Sequence, residues 1–145
     1  MINIHARVKH LIQRYNTRDP ERIIKYLGID LRYEDIGENT KGFYISLITN
    51  KYIVISNKLN EVEKVIVLAH ELGHALLHYH RSTCFIREYT LFPRGRIENE
   101  ANKFAAELLI DEKDIDKYSL ENMCTNQIAS YFGVSEKLVE YKFSN

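Results

Sequence analysis

Residues 60–78 leave this 145-residue chain little freedom in how it can fold. Asn60, followed three residues later by Glu63, reads as a capping box, in which each side chain satisfies a backbone N–H at the start of a helix. Behind it Val62, Val65, Ile66, Ala69, Leu72 and Leu76 recur at helical spacing, and apolar residues take up most of the circumference. A helix that is apolar on nearly every side has to be wrapped by other elements, so this one is expected at the centre of the molecule. Yet it carries His70, Glu71 and His74, polar groups that are costly to bury without partners.

The remaining segments supply the wrapping. Ile4, Val8, Leu11, Ile12 and Tyr15 mark an amphipathic first helix. Asp19-Pro20 reads as an N-cap with proline in the first helical position, and the short second helix it opens (Ile23, Ile24, Leu27) ends at Gly28. Three strand-like runs follow at residues 29–34, 42–48 and 52–56; Thr49-Asn50-Lys51 turns the last two into a hairpin beside the first. After the central helix come a loop over 81–96 containing Pro93 and Gly95, and a helix over 97–110 that packs through Ala101, Phe104, Ala105, Leu108 and Leu109. Two short helices, 125–132 and 136–143, are separated by Gly133-Val134-Ser135. The predicted class is α+β: a compact single domain over residues 1–145 with N-terminal helices, a small three-stranded sheet, the central helix, a second helix packed on it, and short C-terminal helices. Residues 124–143 form a small helix-turn-helix-like element on that body.

Composition narrows the function. Twenty Lys+Arg balance twenty Asp+Glu, so the net charge is zero. A protein that binds nucleic acid by neutralising phosphates carries a basic surplus, and polybasic membrane attachment needs one too; neither partner is expected here. The two cysteines, Cys84 and Cys124, are too few for a disulfide scaffold and lack metal-knuckle spacing. There is no apolar run of membrane-spanning length and no signal-like N-terminus, so a cytoplasmic location is expected.

The chemistry is concentrated in His70-Glu71-Leu72-Gly73-His74. Histidines four apart project from one face of a helix and can grip one metal ion; neutral imidazoles suit zinc, with Glu71 beside them as a base for the attacking water. A catalytic site of this kind needs a third protein ligand. His80 stands where an extended form of the motif places a third histidine, but Leu77 replaces the glycine that would turn the chain there. His78 lies about 12 Å along the helix axis from His70, which suits a role behind the ligands or at the helix C-terminus. The better candidate is Glu98 on the next helix, with Asn102 one turn on to hydrogen-bond a ligand histidine, and Ala101 and Ala105 to let the helices approach. Glu100 is the alternative ligand, although it is in phase with Phe104 and Leu108 and reads equally as an acid placed near a helix N-terminus.

With these residues in view the sequence resembles the ImmA/IrrE family of small zinc metallopeptidases. The resemblance rests on residues 51–56, on 68–78 around His70-Glu71-Leu72-Gly73-His74, and on 98–109 with its Glu98-x-x-Ala101-Asn102-x-Phe104-Ala105 pattern, and covers roughly 20–143. One departure is that the family commonly closes this helix with Leu-Leu-Met-Pro, where this chain has Leu109-Ile110-Asp111. The resemblance implies a zincin-like fold, a single catalytic Zn2+ held by His70, His74 and Glu98, and a cytoplasmic endopeptidase of bacterial, phage or mobile-element origin. It further implies a protein substrate, a helix-turn-helix repressor cut as an antirepressor would cut it. In the expected mechanism zinc polarises the scissile carbonyl, while Glu71 takes a proton from water and passes it to the leaving amine. An extended substrate could pair with a sheet edge along residues 52–56.

Two rival readings have specific residues behind them. Residues 127–135 and the helix that follows resemble a helix-turn-helix, as in a transcriptional regulator that binds DNA or protein and keeps a metal without proteolysis. Glu136 and Glu140, however, offset Lys137 and Lys142, leaving no basic recognition face. A purely structural metal is the second rival, for which a base at Glu71 has no use. In the loop, Cys84 could bind the metal as a latent switch or be an idle thiol, while Tyr79, Phe85, Tyr89 and Phe92 are expected to pack over the cleft.

Overall fold

A computed structural model describes residues 2–78, 85–86 and 95–144. Helix α1 (Ile4–Tyr15) starts where Asn3 accepts from the Ala6 N–H and stops at Asn16, which adopts the left-handed conformation (φ +54°) that asparagine tolerates. In α2 (Pro20–Tyr26) Asp19 caps the Glu21 N–H and Pro20 fills the first position. The expected capping box opens α3 (Glu61–Leu77): Asn60 Oδ1 accepts from the Glu63 N–H at 2.8 Å, and Glu63 Oε1 from the Asn60 N–H at 3.4 Å.

The sheet runs in the order β1-β3-β2-β4, with β1 (Asp30–Glu34) parallel to β3 (Lys51–Ser56), and β2 (Gly42–Ser46) antiparallel to both β3 and β4 (Phe85–Ile86). The hairpin closes through Leu47 N–H to Asn50 C=O at 2.8 Å, so β2 stops two residues short of its expected end and Ile48 projects into solvent. Beyond the expected three strands, β4 pairs Phe43 with Ile86 and Tyr44 with Phe85 inside the segment read as loop. Two residues are too few to display a strand's alternation. One expectation is overturned: residues 52–56 are no sheet edge. β3 is hydrogen-bonded on both sides, and Ile53, Val54 and Ile55 are all buried, as a continuous apolar run in an interior strand requires.

Every residue from 67 to 75 of α3 is buried. The helix packs on β2, β3, α2 and α4 (Arg96–Leu109), and the core around it unites Ile23 and Ile24 of α2, Tyr44, Ile53 and Ile55 of the sheet, and Phe104 and Leu108 of α4. The α3–α4 approach depends on Gly73: a Cβ there would stand 3.1 Å from the Cβ and Cδ1 of Phe104. After a 3-10 turn (Glu112–Asp114) and the five-residue α5 (Lys117–Glu121), neither expected from the sequence, come α6 (Thr125–Phe132) and α7 (Glu136–Phe143). Their Ile128, Ala129, Val134, Leu138 and Val139 join the same core, with α7 laid against α4. Among the described residues no helix is long and apolar enough to cross a membrane.

Candidate metal centre

The middle of α3 puts His70, Glu71 and His74 in the core at 4%, 0% and 0% exposure. Four-residue spacing sets the two imidazoles edge-on on one face, with His70 Nε2 and His74 Nε2 3.2 Å apart. Helix α4 delivers Glu98 from its first turn, its Oε2 lying 3.0 Å from His70 Nε2 and 3.5 Å from His74 Nε2. These separations fit one small cation. Bonds of about 2.0–2.1 Å in tetrahedral geometry set donor atoms roughly 3.3–3.5 Å apart, close to what the three side chains show. Together they form a group whose ligand atoms lie within 4.8 Å of one another and could hold a metal ion. Burial pushes the Glu98 carboxyl up, but hydrogen bonds and charge interactions with His70 and His74 outweigh it and hold the group well below the ordinary carboxylate range. It is therefore ready as an anionic ligand.

The outward-facing imidazole nitrogens are held as well. His70 Nδ1 is 2.9 Å from Asn102 Oδ1, and the Asn102 amide donates from Nδ2 to the Tyr141 hydroxyl of α7 at 3.2 Å; that hydroxyl donates to Asn99 Oδ1 at 3.1 Å. On the other ligand, His74 Nδ1 lies 3.0 Å from His78 Nδ1, and His78 Nε2 lies 2.9 Å from Glu100 Oε1. A cavity of about 300 Å³ adjoins His70 and Asn102, walled by Val62, Ile66, Leu138 and Tyr141 with Lys41 and Lys137 on its lining.

The family whose model matches residues 24–144 is a peptidase family described as the IrrE N-terminal-like domain. The chain belongs to this family. It is 38% identical over 139 residues to immunity region protein 2 of Bacillus phage phi105, covering 96% of this chain and 88% of that protein. It is also 27% identical over 143 residues to the metallopeptidase ImmA of Bacillus subtilis (strain 168), covering 97% and 84%.

In this IrrE-like domain the residues singled out by spacing alone divide cleanly. His70, His74 and Glu98 converge, and Asn102 reaches His70. Glu100, two residues along α4 from Glu98, is directed at His78 instead. His78, buried at 3% exposure, stands behind His74 rather than beside the convergence point. Glu71, one residue on from His70, is fully buried. His80, Tyr79, Cys84, Tyr89, Phe92 and the Phe85 side chain lie outside the described residues. Sequence reasoning missed Tyr141. The available signal was Asn102 itself, whose amide has a donor end needing a partner once its oxygen faces a histidine.

Proposed function

We propose that this protein is a zinc metalloendopeptidase that hydrolyses peptide bonds of a protein substrate, with a helix-turn-helix repressor as that substrate. The observation carrying the reading is the convergence of His70 Nε2, His74 Nε2 and Glu98 Oε2 on one point, with Glu71 on the same helix beside them. Membership of a peptidase family and likeness to a metallopeptidase support the hydrolytic chemistry. A phage relative described as an immunity region protein supports a phage setting for that activity.

The donor set of two imidazoles and a carboxylate suits zinc, which when bound supplies Lewis acidity toward water and the scissile carbonyl. His70, His74 and Glu98 would hold it. Glu71 takes the proton from the attacking water and returns it to the leaving amine, its burial keeping that proton from bulk solvent. With β3 interior to the sheet, backbone pairing along residues 52–56 is closed to a substrate chain. Direct nucleic-acid contact has no place in this reading: the side chain of Lys142, one of the two lysines on α7, is turned inward and paired with Glu107 at 2.7 Å.

Wild-type protein and Glu71→Gln, each loaded with zinc, should be incubated with the purified helix-turn-helix repressors of the genome that encodes this chain. Cleavage by the wild type is expected to fall about 10²–10⁴-fold in Glu71→Gln and to stop with a chelator. Cleavage that persists in both arms would sink the mechanism, and repressors all left intact under wild-type treatment would sink the substrate.

A further inference from the structure

Behind His74 stands a second buried histidine backed by a carboxylate, an arrangement that a helix cap does not need. It rests on the metal-centre reading above, and its consequences follow from where protons can sit. An imidazole nitrogen that donates its lone pair to a metal carries no hydrogen, so a neutral ligand bound through Nε2 keeps its proton on Nδ1. At His70 that proton meets Asn102 Oδ1, whose orientation is set by the Nδ2 donation to Tyr141. At His74 it meets His78 Nδ1, 3.0 Å away. His78 must then accept on Nδ1 and carry its own proton on Nε2, where Glu100 Oε1 receives it at 2.9 Å. The reverse assignment, with the proton on His78 Nδ1, would force the His74 proton onto Nε2 and close that nitrogen to a metal.

We propose that His78 and Glu100 form a positioning chain that fixes His74 in the tautomer able to bind metal and makes its Nε2 a stronger donor. The direction of donation is uniform, from His74 to His78 to the carboxylate. A carboxylate behind the second imidazole pulls its Nε2 proton outward, which makes its Nδ1 a better acceptor and passes electron density toward the ligand. The two ligand histidines are therefore held differently, His70 by a neutral amide and His74 through a chain ending in charge. The spacing makes this available, because His78 is one turn beyond His74 and the Glu100 side chain of α4 reaches its Nε2.

The test uses zinc alone as the probe. Zinc affinity is measured by competition with a chromophoric chelator for wild type, His78→Phe, Glu100→Ala and Glu100→Gln, and long-range proton–nitrogen correlation spectra are recorded on the zinc-loaded wild type. The spectra should show His74 protonated on Nδ1 and His78 on Nε2. Affinity should fall about 10–100-fold in His78→Phe and Glu100→Ala, with Glu100→Gln in between because it restores an acceptor without the charge. A His78 proton found on Nδ1 overturns the proposal without recourse to any variant, as does wild-type affinity in both His78→Phe and Glu100→Ala. A wild type that takes up no zinc overturns the metal-centre reading together with this one, whereas normal zinc uptake with indifferent variants sinks the chain alone.

Discussion

Two carboxylates on one turn of α4 do different work because a helix rotates about 200° over two residues. Glu98 faces both Nε2 atoms, while Glu100 faces His78. Glu98→Ala removes one donor of the proposed zinc site; against about 10–16 kcal/mol for a complete structural zinc site, a loss on the order of 3 kcal/mol is expected, more than 100-fold in affinity. Metal analysis after dialysis should find Glu98→Ala depleted and Glu100→Ala still carrying one zinc per chain, though more weakly held. The opposite ranking would move the third ligand to Glu100. At this scale the sequence was legible wherever partners sit one helical turn apart: His70 with His74, and Glu98 with Asn102. Tyr141 escaped because it lies 39 residues beyond the asparagine it touches, on a helix whose docking no local pattern specifies.

Elements hold those residues in place, and the decisive contact is between α3 and α4. Gly73 costs its helix roughly 0.5–1 kcal/mol in backbone freedom, yet it sits where a side chain would meet the Phe104 ring, Cγ at 3.2 Å. Gly73→Val should therefore destabilise the metal-free protein by about 1–3 kcal/mol through overpacking, lowering Tm by roughly 3–10 °C. The same displacement carries Glu98 away from the histidines, so zinc affinity should fall as well. A thermal melt and a zinc titration check the pair, and an unchanged melt would mean α4 moves aside at no cost. Caps made α2 and α3 readable in advance, amphipathic faces α1 and α4, and the Gly133-Val134-Ser135 break the division between α6 and α7. The interior place of β3 was misread as an edge, although its apolar run lacks the alternation of a half-exposed strand. What stayed hidden were the two-residue β4, the 3-10 turn and α5, all too short for a periodicity to register.

On the scale of the whole molecule, a zero net charge conceals how unevenly the charges are placed. Glu107 of α4 is buried at 6% exposure, yet three side chains converge on it: His5 of α1 at 2.8 Å, Lys103 of α4 itself at 3.3 Å, and Lys142 of α7 at 2.7 Å. Arg18 adds donations to the Glu107 and Leu108 carbonyls at 3.1 and 3.0 Å. Both chain ends are thus pinned to the helix that carries Glu98, over sequence separations no composition can reveal. Burial raises the Glu107 carboxyl, but the Lys142 hydrogen bond, with His5 and Lys103, more than offsets it and leaves the group below its ordinary value of 4.5. A carboxylate depressed in the folded state contributes stability that is fully present above its unfolded value and is lost as pH falls through the folded one. Lys142→Met keeps the buried length of the side chain and removes its charge, so near neutral pH it should cost about 1–3 kcal/mol, read as a lower urea midpoint. As the medium is acidified from neutral through pH 4.5 and below, the wild type surrenders the same interaction and the two midpoints should draw together. A gap that stays constant across that range would assign the loss to packing alone and leave Glu107 without the electrostatic role described.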